Sequence, residues 1–428
     1  MAGETTFSDI NGMAKRVYDK SGLQDLRSDC SIVTKRVGWD KGSRAIGESY
    51  QSPMTLRFPN GYTYLGSAGT ANTSLKQPRP QVVKQASVVP SAFILEERLV
   101  TQALARAAAA GDGAFAALAS ETYKGMKLSA SNRVEASIII GQKTLGTVET
   151  VTDLGAGLAD LTITQATWRP GLFWALSEGA TFDAFTAATK NNASGPLVLA
   201  GIKAAERKIT VSYTGTLASE VTAADNLYFE GATTDPTSSV AWNEMAGLIA
   251  QSSNISGTSL GIDASVYGNW KGNTYDVGGN FNSDVIEDAV GLLRDRGASG
   301  KLELYLANKA FGQAMAEAKV NRNFDASYSP ERAKLGHKAI GYASAEIGEI
   351  ELVNHPFMAQ GEFLLLNPAN VGRVGSMDLE FGIPGVDGEQ HWYPIMGTNL
   401  AGIQLQTDQC VINKRPNHSM YGTGITYT

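Results

Sequence analysis

The sequence predicts an α+β protein in five parts: an N-terminal arm, an extended loop, a long helix, an inserted β-rich domain, and a C-terminal domain of helices and strands. Three observations carry this. Residues 1–90 are punctuated by glycine and hold too few apolar residues to form a core. From Ser91 to Ile140 apolar residues recur at helical spacing. Short β-forming runs then recur about every ten residues from 145 to 240, and mixed helix and strand patterns resume after Gly257.

The first fifty residues show weak periodicity, with one short helix expected over Asp9–Lys20. Met54–Phe58 and Tyr62–Leu65 alternate apolar and polar residues around Asn60-Gly61. Asn-Gly between such runs predicts a tight hairpin, because both central residues must take positive φ. Gly66–Ser74 reads as a loop tip, Gln77–Pro80 as extended backbone, and Gln81–Val89 as a returning strand. A lone hairpin is marginal in water, so this region calls for a partner surface.

Ser91 after Pro90 reads as a helix N-cap, with Leu95, Leu99 and Ala103 in register behind it. Gly111-Asp112-Gly113 breaks the run. A second helix follows, with Phe115, Leu118, Thr122, Met126, Ala130, Val134 and Ile138 on one face. Glu121, Lys124, Lys127 and Arg133 mark the face expected to be solvated, and Gly125 and Ser129 are places where it could bend. Strands are expected at Leu161–Thr164, Leu172–Leu176, Thr181–Phe185, Leu197–Ile202, Arg207–Tyr213 and Leu227–Glu230, forming a small sandwich or barrel. Asp284–Arg296 is an amphipathic helix capped by Ser283 and stopped by Gly297. Strand Leu302–Leu306, a helix from Asn308 to about Lys319, and strands at Ile350–Val353, Phe363–Leu366, Arg373–Phe381, Gln390–Pro394 and Ile403–Thr407 complete an α+β domain.

Composition narrows the function. The chain of 428 residues is long enough for two or three domains. Charged residues are 18%, below the roughly 25% of ordinary globular chains, and 46 residues are glycine. Few charges and many small residues fit a surface largely covered by neighbours. A net charge of −6 argues against a grip on nucleic-acid backbone, which needs clustered Lys and Arg. Cys30 and Cys410 give neither a metal-ligand spacing nor a disulfide framework. The N-terminal residues carry no basic or apolar signal segment, and no run is long enough to span a membrane, so the expectation is a soluble chain kept in a cytoplasm.

No motif of phosphate-binding, metalloprotease or nucleophile-elbow type is present. The histidines, His337, His355, His391 and His418, are scattered and read as surface or interface residues. The pair Glu96-Glu97 and the cluster Asp284/Glu287/Asp288 fall in first turns of expected helices, where negative charge offsets the helix dipole. Asp378 and Glu380 share a solvated strand face. The densest basic patch is Arg332, Lys334, His337 and Lys338, suited to salt bridges with an acidic neighbour. Lys76 has no local support as a crosslinking residue. The six tryptophans are dispersed and read as core or interface anchors. No catalytic, cofactor or metal site is expected.

The run Gly261-Ile-Asp-Ala-Ser-Val-Tyr-Gly-Asn-Trp-Lys-Gly-Asn273, the close Ser137-Ile-Ile-Ile-Gly141, and the order of parts together resemble the major capsid proteins of tailed bacteriophages, with the Hong Kong 97 fold. The resemblance implies an N-terminal arm at 1–45, an extended loop at 46–90, a spine helix and peripheral domain at 91–150, and an axial domain with return strands at 241–428. The stretch 151–240 departs from the minimal fold as an inserted β-domain. It implies a non-enzymatic shell protein that assembles as hexamers and pentamers into an icosahedral head around double-stranded DNA. Scaffolding, portal and decoration proteins would be its partners, with DNA nearby but not specifically bound. Its location would be the virion, after assembly in the host cytoplasm. Inter-subunit contacts are expected at Phe58, Asn60, Gly61, Tyr62 and Tyr64 on the loop and at Arg332, Lys334 and Lys338. The alternatives are a cargo-enclosing nanocompartment shell of the same fold, a β-rich tail component or surface adhesin, and a hydrolase.

Overall fold

The computed structural model describes residues 29–39, 49–64, 74–102, 105, 112–320, 339–344, 348–382 and 392–427. The helix expected over Asp9–Lys20, the tip at 66–73, and Arg332, Lys334 and Lys338 lie outside these residues. The chain enters through a one-turn helix, α1 (Val33–Arg36), and then runs into a two-stranded ribbon of β1 (Tyr50–Arg57) and β2 (Val82–Val88). The ribbon is antiparallel, with Tyr50 opposite Val88 and Arg57 opposite Val82.

The Asn60-Gly61 turn does not form as expected. Gly61 takes φ +136°, but Asn60 does not join it at positive φ, so the two-residue turn is not made. Instead Asn60 pairs with Arg79, through main-chain bonds of 2.9 and 2.7 Å. The strand returning beside β1 is therefore β2, and the Asn60–Arg79 pair lies beyond the end of the two strands.

The helix expected from Ser91 is a strand, β3 (Ser91–Val100). It pairs along its length with β20 (Leu400–Asn413), from Ser91 opposite Gln409 to Val100 opposite Leu400. Burial alternates residue by residue, with Ala92, Ile94, Glu96 and Arg98 outward. Leu95 and Leu99 are four apart, a spacing common to both periods, and the side chains two apart decide for the strand. Glu96 and Glu97 thus lie on a strand, and Glu96 bonds Arg98 and the Tyr393 hydroxyl.

The long helix is α2 (Asp112–Ile139), 28 residues and about 42 Å at 1.5 Å per residue. Gly125 and Ser129 do not interrupt it. Met126 and Ala130 pack on Phe93, Leu95, Leu379, Ile403 and Leu405 of a sheet in which β20 lies between β3 and the strands β18 (Val371–Phe381) and β19 (Trp392–Pro394). From Asn132 to Ile140 nearly every residue is buried. Arg133, expected in solvent, lies over the Phe229 ring at 3.0 Å and pairs with Glu244 at 3.2 Å. The helix ends at Gly141, at φ +50°, where an added methyl would stand 2.3 Å from the Gly247 nitrogen.

Residues 146–229 close into a barrel. Its strands are β4 (Gly146–Gly155), β5 (Leu158–Ile163), β6 (Thr181–Thr186), β8 (Leu197–Lys203), β9 (Lys208–Ser212) and β10 (Asn226–Phe229), with the short β7 (Thr189–Lys190) beside β6. The order β10-β4-β5-β9-β8-β6 is closed by β6 pairing with β10, which removes the edges. Leu161, Ile163, Phe182, Leu199, Ile209, Val211 and Leu227 are among its buried residues. Leu172–Leu176, expected as a strand, belongs to helix α3 (Pro170–Leu176), which Pro170 opens. The helices α4 (Leu217–Glu220) and α5 (Leu248–Ser252) follow.

The two-residue strands β11 (Thr258–Ser259) and β12 (Ile262–Asp263) precede a six-stranded mixed sheet. Its order is β13 (Thr274–Gly279), β21 (Met420–Ile425), β17 (Phe363–Leu366), β14 (Leu302–Leu306), β16 (Gly348–Asn354) and β15 (Ala339–Ser344). Helices α6 (Ser283–Asp295) and α7 (Asn308–Val320) cover it, with Val285, Ile286, Ala289, Val290 and Leu293 inward from α6. The cap of α6 is Asn282, whose Oδ1 accepts from Val285 N–H at 3.1 Å. Ser283, expected there, instead binds Glu317 on α7. Gly297 stops the helix as expected: its N–H donates to Arg294 O, and Ala298 N–H to Leu293 O. Among the described residues no helix is long and apolar enough to cross a membrane.

Candidate inter-subunit surface

The outstanding surface is the β1–β2 ribbon, and the Gly261–Asn273 run holds its base. Leu56, Ala86 and Val88 are buried there, in the cluster that includes Ile262, Ala264 and Trp270. Ser87 N–H donates to Leu260 O at 2.8 Å, and Asn269 Nδ2 to Leu56 O at 3.0 Å. Trp270, 2% exposed, donates its indole N–H to Ser259 O. The run therefore folds into a clamp around the ribbon, a role its composition alone does not reveal.

Beyond this base both faces of the ribbon meet solvent. Phe58, Tyr62, Tyr64 and Leu75 are exposed at 71%, 73%, 89% and 77%. The five loop residues singled out from sequence, Phe58, Asn60, Gly61, Tyr62 and Tyr64, fall together on this distal part. Among the described residues the ribbon pairs with no third strand, and beyond its clamped base it presents main-chain donors and acceptors together with exposed aromatic rings. That combination suits addition to another sheet or apolar face. Lys76 lies in the same region, exposed, with its main-chain N–H on Thr63 Oγ1.

Several buried polar residues of the subunit pair with one another. Glu135 of α2 is fully buried and receives Nε2–H of His355 at 2.8 Å, with His355 itself fully buried. His355 Nδ1 accepts from Phe357 N–H, so the ring is the neutral Nε2–H tautomer. Arg169 pairs with Glu362, both almost wholly buried, and Tyr421 donates to the other Glu362 oxygen at 2.6 Å. Burial against Glu362 pushes the Tyr421 hydroxyl well up from its usual value. His418 is buried too, and burial, aided by Arg415, lowers its pKa. Asp378, half-exposed on a strand face as expected, reaches the buried Arg373 at 2.5 Å. The partners of Glu135 and Glu362 lie too far away in sequence for local spacing to show them. The visible signal for Glu135 was a lone acid inside Val134–Ile140, a stretch otherwise nearly apolar. Among the described residues no group of three or more His, Cys, Asp or Glu could hold a metal ion.

The architecture has counterparts. The capsid protein of the cyanophage A-1(L) capsid asymmetric unit aligns with a TM-score of 0.54 at 10% identity, covering 99% of each chain. The chain has a phage capsid fold. Lower-scoring likenesses are the capsid of an empty GTA particle, with a TM-score of 0.48 at 8% identity over 100% of both chains, and the mature capsid of bacteriophage PhiM1, at 0.46 and 9% over 96% of this chain and 92% of that one. Of these three, the first carries the fold assignment. No protein-family model and no curated protein matches the sequence.

Proposed function

We propose that the chain is a major capsid protein that self-assembles into the icosahedral head of a tailed bacteriophage, in the Hong Kong 97 subtype of the fold. The observation that carries this is a full-length capsid fold whose ribbon is clamped at its base and bare beyond it. In this reading α2 is the spine. The β3–β20–β18 sheet and α2 form the peripheral domain, and the six-stranded sheet with α6 and α7 forms the axial domain. The barrel at 146–229 is an insertion. The protein is structural rather than enzymatic, works as hexamers and pentamers, and resides in the virion after assembly in the host cytoplasm. A scaffold, a portal and packaged DNA are its expected neighbours, and the net negative charge of −6 leaves the DNA free to move past. The ribbon would lie on an adjacent subunit, with Phe58, Tyr62 and Tyr64 as its anchors. Arg332, Lys334 and Lys338 stay proposed as a salt-bridging patch.

The test is expression with any scaffold encoded beside it, followed by negative-stain microscopy. Shells or ring-shaped capsomers are expected. A Tyr62→Ser/Tyr64→Ser variant should give subunits of unchanged thermal stability and at least a tenfold loss of closed shells. Monomers alone under every condition would overturn the function, and normal shells from the variant would remove the ribbon from its role.

A further inference from the structure

The segment 29–39 is tied to the rest of the subunit mainly by carboxylates. Both oxygens of Glu135 face its backbone. Oε1 accepts from Ile32 N–H at 2.9 Å and Val33 N–H at 2.6 Å, and Oε2 from Thr34 N–H at 2.9 Å and Thr34 Oγ1 at 2.5 Å. One turn downstream, Arg36 is gripped by Glu303 at 2.8 Å and Glu351 at 2.7 Å. Tyr305 donates to Glu303, and Lys301 pairs with Glu351. Asn132 Oδ1 holds Cys30 N–H, and Arg373 reaches Thr34 O at 3.5 Å while facing the Trp39 ring at 5.4 Å. Val33 and Val37 are the buried apolar contacts.

We propose that residues 29–39 form a detachable strap, held to the spine by the Glu135 carboxylate and released as a unit when that carboxylate is neutralised. The apolar anchor is Val33 and Val37, with Ile32 and Cys30 packed beside them, and Glu135 satisfies the N–H groups of Ile32, Val33 and Thr34 at the start of α1. Protonation turns one of its two accepting oxygens into an O–H donor that faces N–H groups, and weakens what the other accepts. Around Glu135 stand His355 from the loop after β16, Asp29, Cys30, Lys35 and Arg36 on the strap, Glu303 and Tyr305 on β14, Glu351 on β16 and Arg373 on β18. Burial opposes ionisation of Glu135, but the His355 and Thr34 bonds outweigh it and keep the carboxyl below its usual range. A group depressed in the folded state stabilises docking above its ordinary value near 4.5 and loses that effect as pH falls through the depressed value. The strap should therefore hold at neutral pH and let go in acid. This inference stands whether or not the shell reading does.

The two cysteines supply the readout. Cys30 lies on the strap, where burial, with the charges of Asp29 and Glu135, pushes its thiol up to about 11. Cys410 lies in the core of β20, 1% exposed, with its thiol pushed up to about 12 by burial and Asp408. In a Glu135→Gln chain at pH 7.5, Cys30 should react with a maleimide at least tenfold faster than in the parent, with Cys410 still protected. In the unmodified chain, dithiodipyridine labelling, which proceeds in acid, should open Cys30 ahead of Cys410 as the pH falls below about 4.5. The second arm decides if the variant fails to fold. Simultaneous exposure of both thiols in the acid titration, or an unchanged Cys30 rate in a folded Glu135→Gln chain, would overturn the strap.

Discussion

Replacing Arg169 by Met tests how the barrel is seated on the rest of the subunit. Arg169 precedes α3, and its Nη1 donates to Phe357 O at 2.8 Å and pairs with Glu362. The side chains are 2% and 4% exposed. Two backbone contacts reinforce the seat: Gln360 N–H reaches Trp168 O, and Gly361 N–H reaches Ala166 O. Without the guanidinium, Glu362 keeps Ala359 N–H and the Tyr421 hydroxyl but stands as a buried charge that has lost its ion-pair partner. Breaking one side of such a pair costs about 3–5 kcal/mol, whereas removing both charges is often close to neutral. Arg169→Met should therefore lower stability by about 3–5 kcal/mol. Adding Glu362→Gln should recover about 2 kcal/mol or more, because Gln can still accept from Tyr421. Urea unfolding of unassembled subunits, followed by circular dichroism, measures both. A single-variant loss under about 1 kcal/mol, or a double variant as weak as the two singles summed, would refute the idea that this pair is a coupled unit.

Two further substitutions probe the frame. Gly141→Ala places a methyl 2.3 Å from Gly247 N and 2.4 Å from Met245 O at a positive φ, so a loss of at least about 2 kcal/mol is expected in thermal unfolding. Trp270→Ala empties the clamp at the ribbon base and should cost about 3 kcal/mol, with faster amide exchange confined first to 50–57 and 82–88.

The sequence was most legible where one local period decides. Ser283–Asp295 has a single apolar stripe, and Leu302–Leu306 carries leucine at every second position between Gly300 and Asn308, so both appear at the expected places. A β-rich insert followed from turn residues spaced between β-forming runs, while the choice of barrel over sandwich rests on the pairing of β6 with β10. Misreadings came where a local signal was shared or a distant partner decided. Leu95 and Leu99 fit helix and strand alike, and pairing with β20, some three hundred residues later, settled the matter. Leu172–Leu176 carries β-forming residues, yet Pro170 at the first helical position was the better guide. Asn60-Gly61 promised a local turn, but Arg79 took up Asn60 instead. The ties through Glu135 and Glu362 were invisible for the same reason, since their partners are up to 220 residues away.

The ribbon and the strap divide the work of the N-terminal region by chemistry. The ribbon base is fixed by apolar burial of Leu56, Ala86, Val88 and Trp270, which neither salt nor mild acid removes. Its distal part keeps aromatic rings in water, a state that contact with a neighbour relieves. The strap is fixed by ionised acids, and its hold depends on their charge. In the proposed shell, a permanent mount would aim the ribbon at the next subunit before contact and so reduce the ordering cost of binding. A charge-held strap beside it can let go after that contact is made without disturbing the mount. An arm built the other way round, with the ribbon on ion pairs and the strap on apolar burial, would lose its aim under the same change that frees its end.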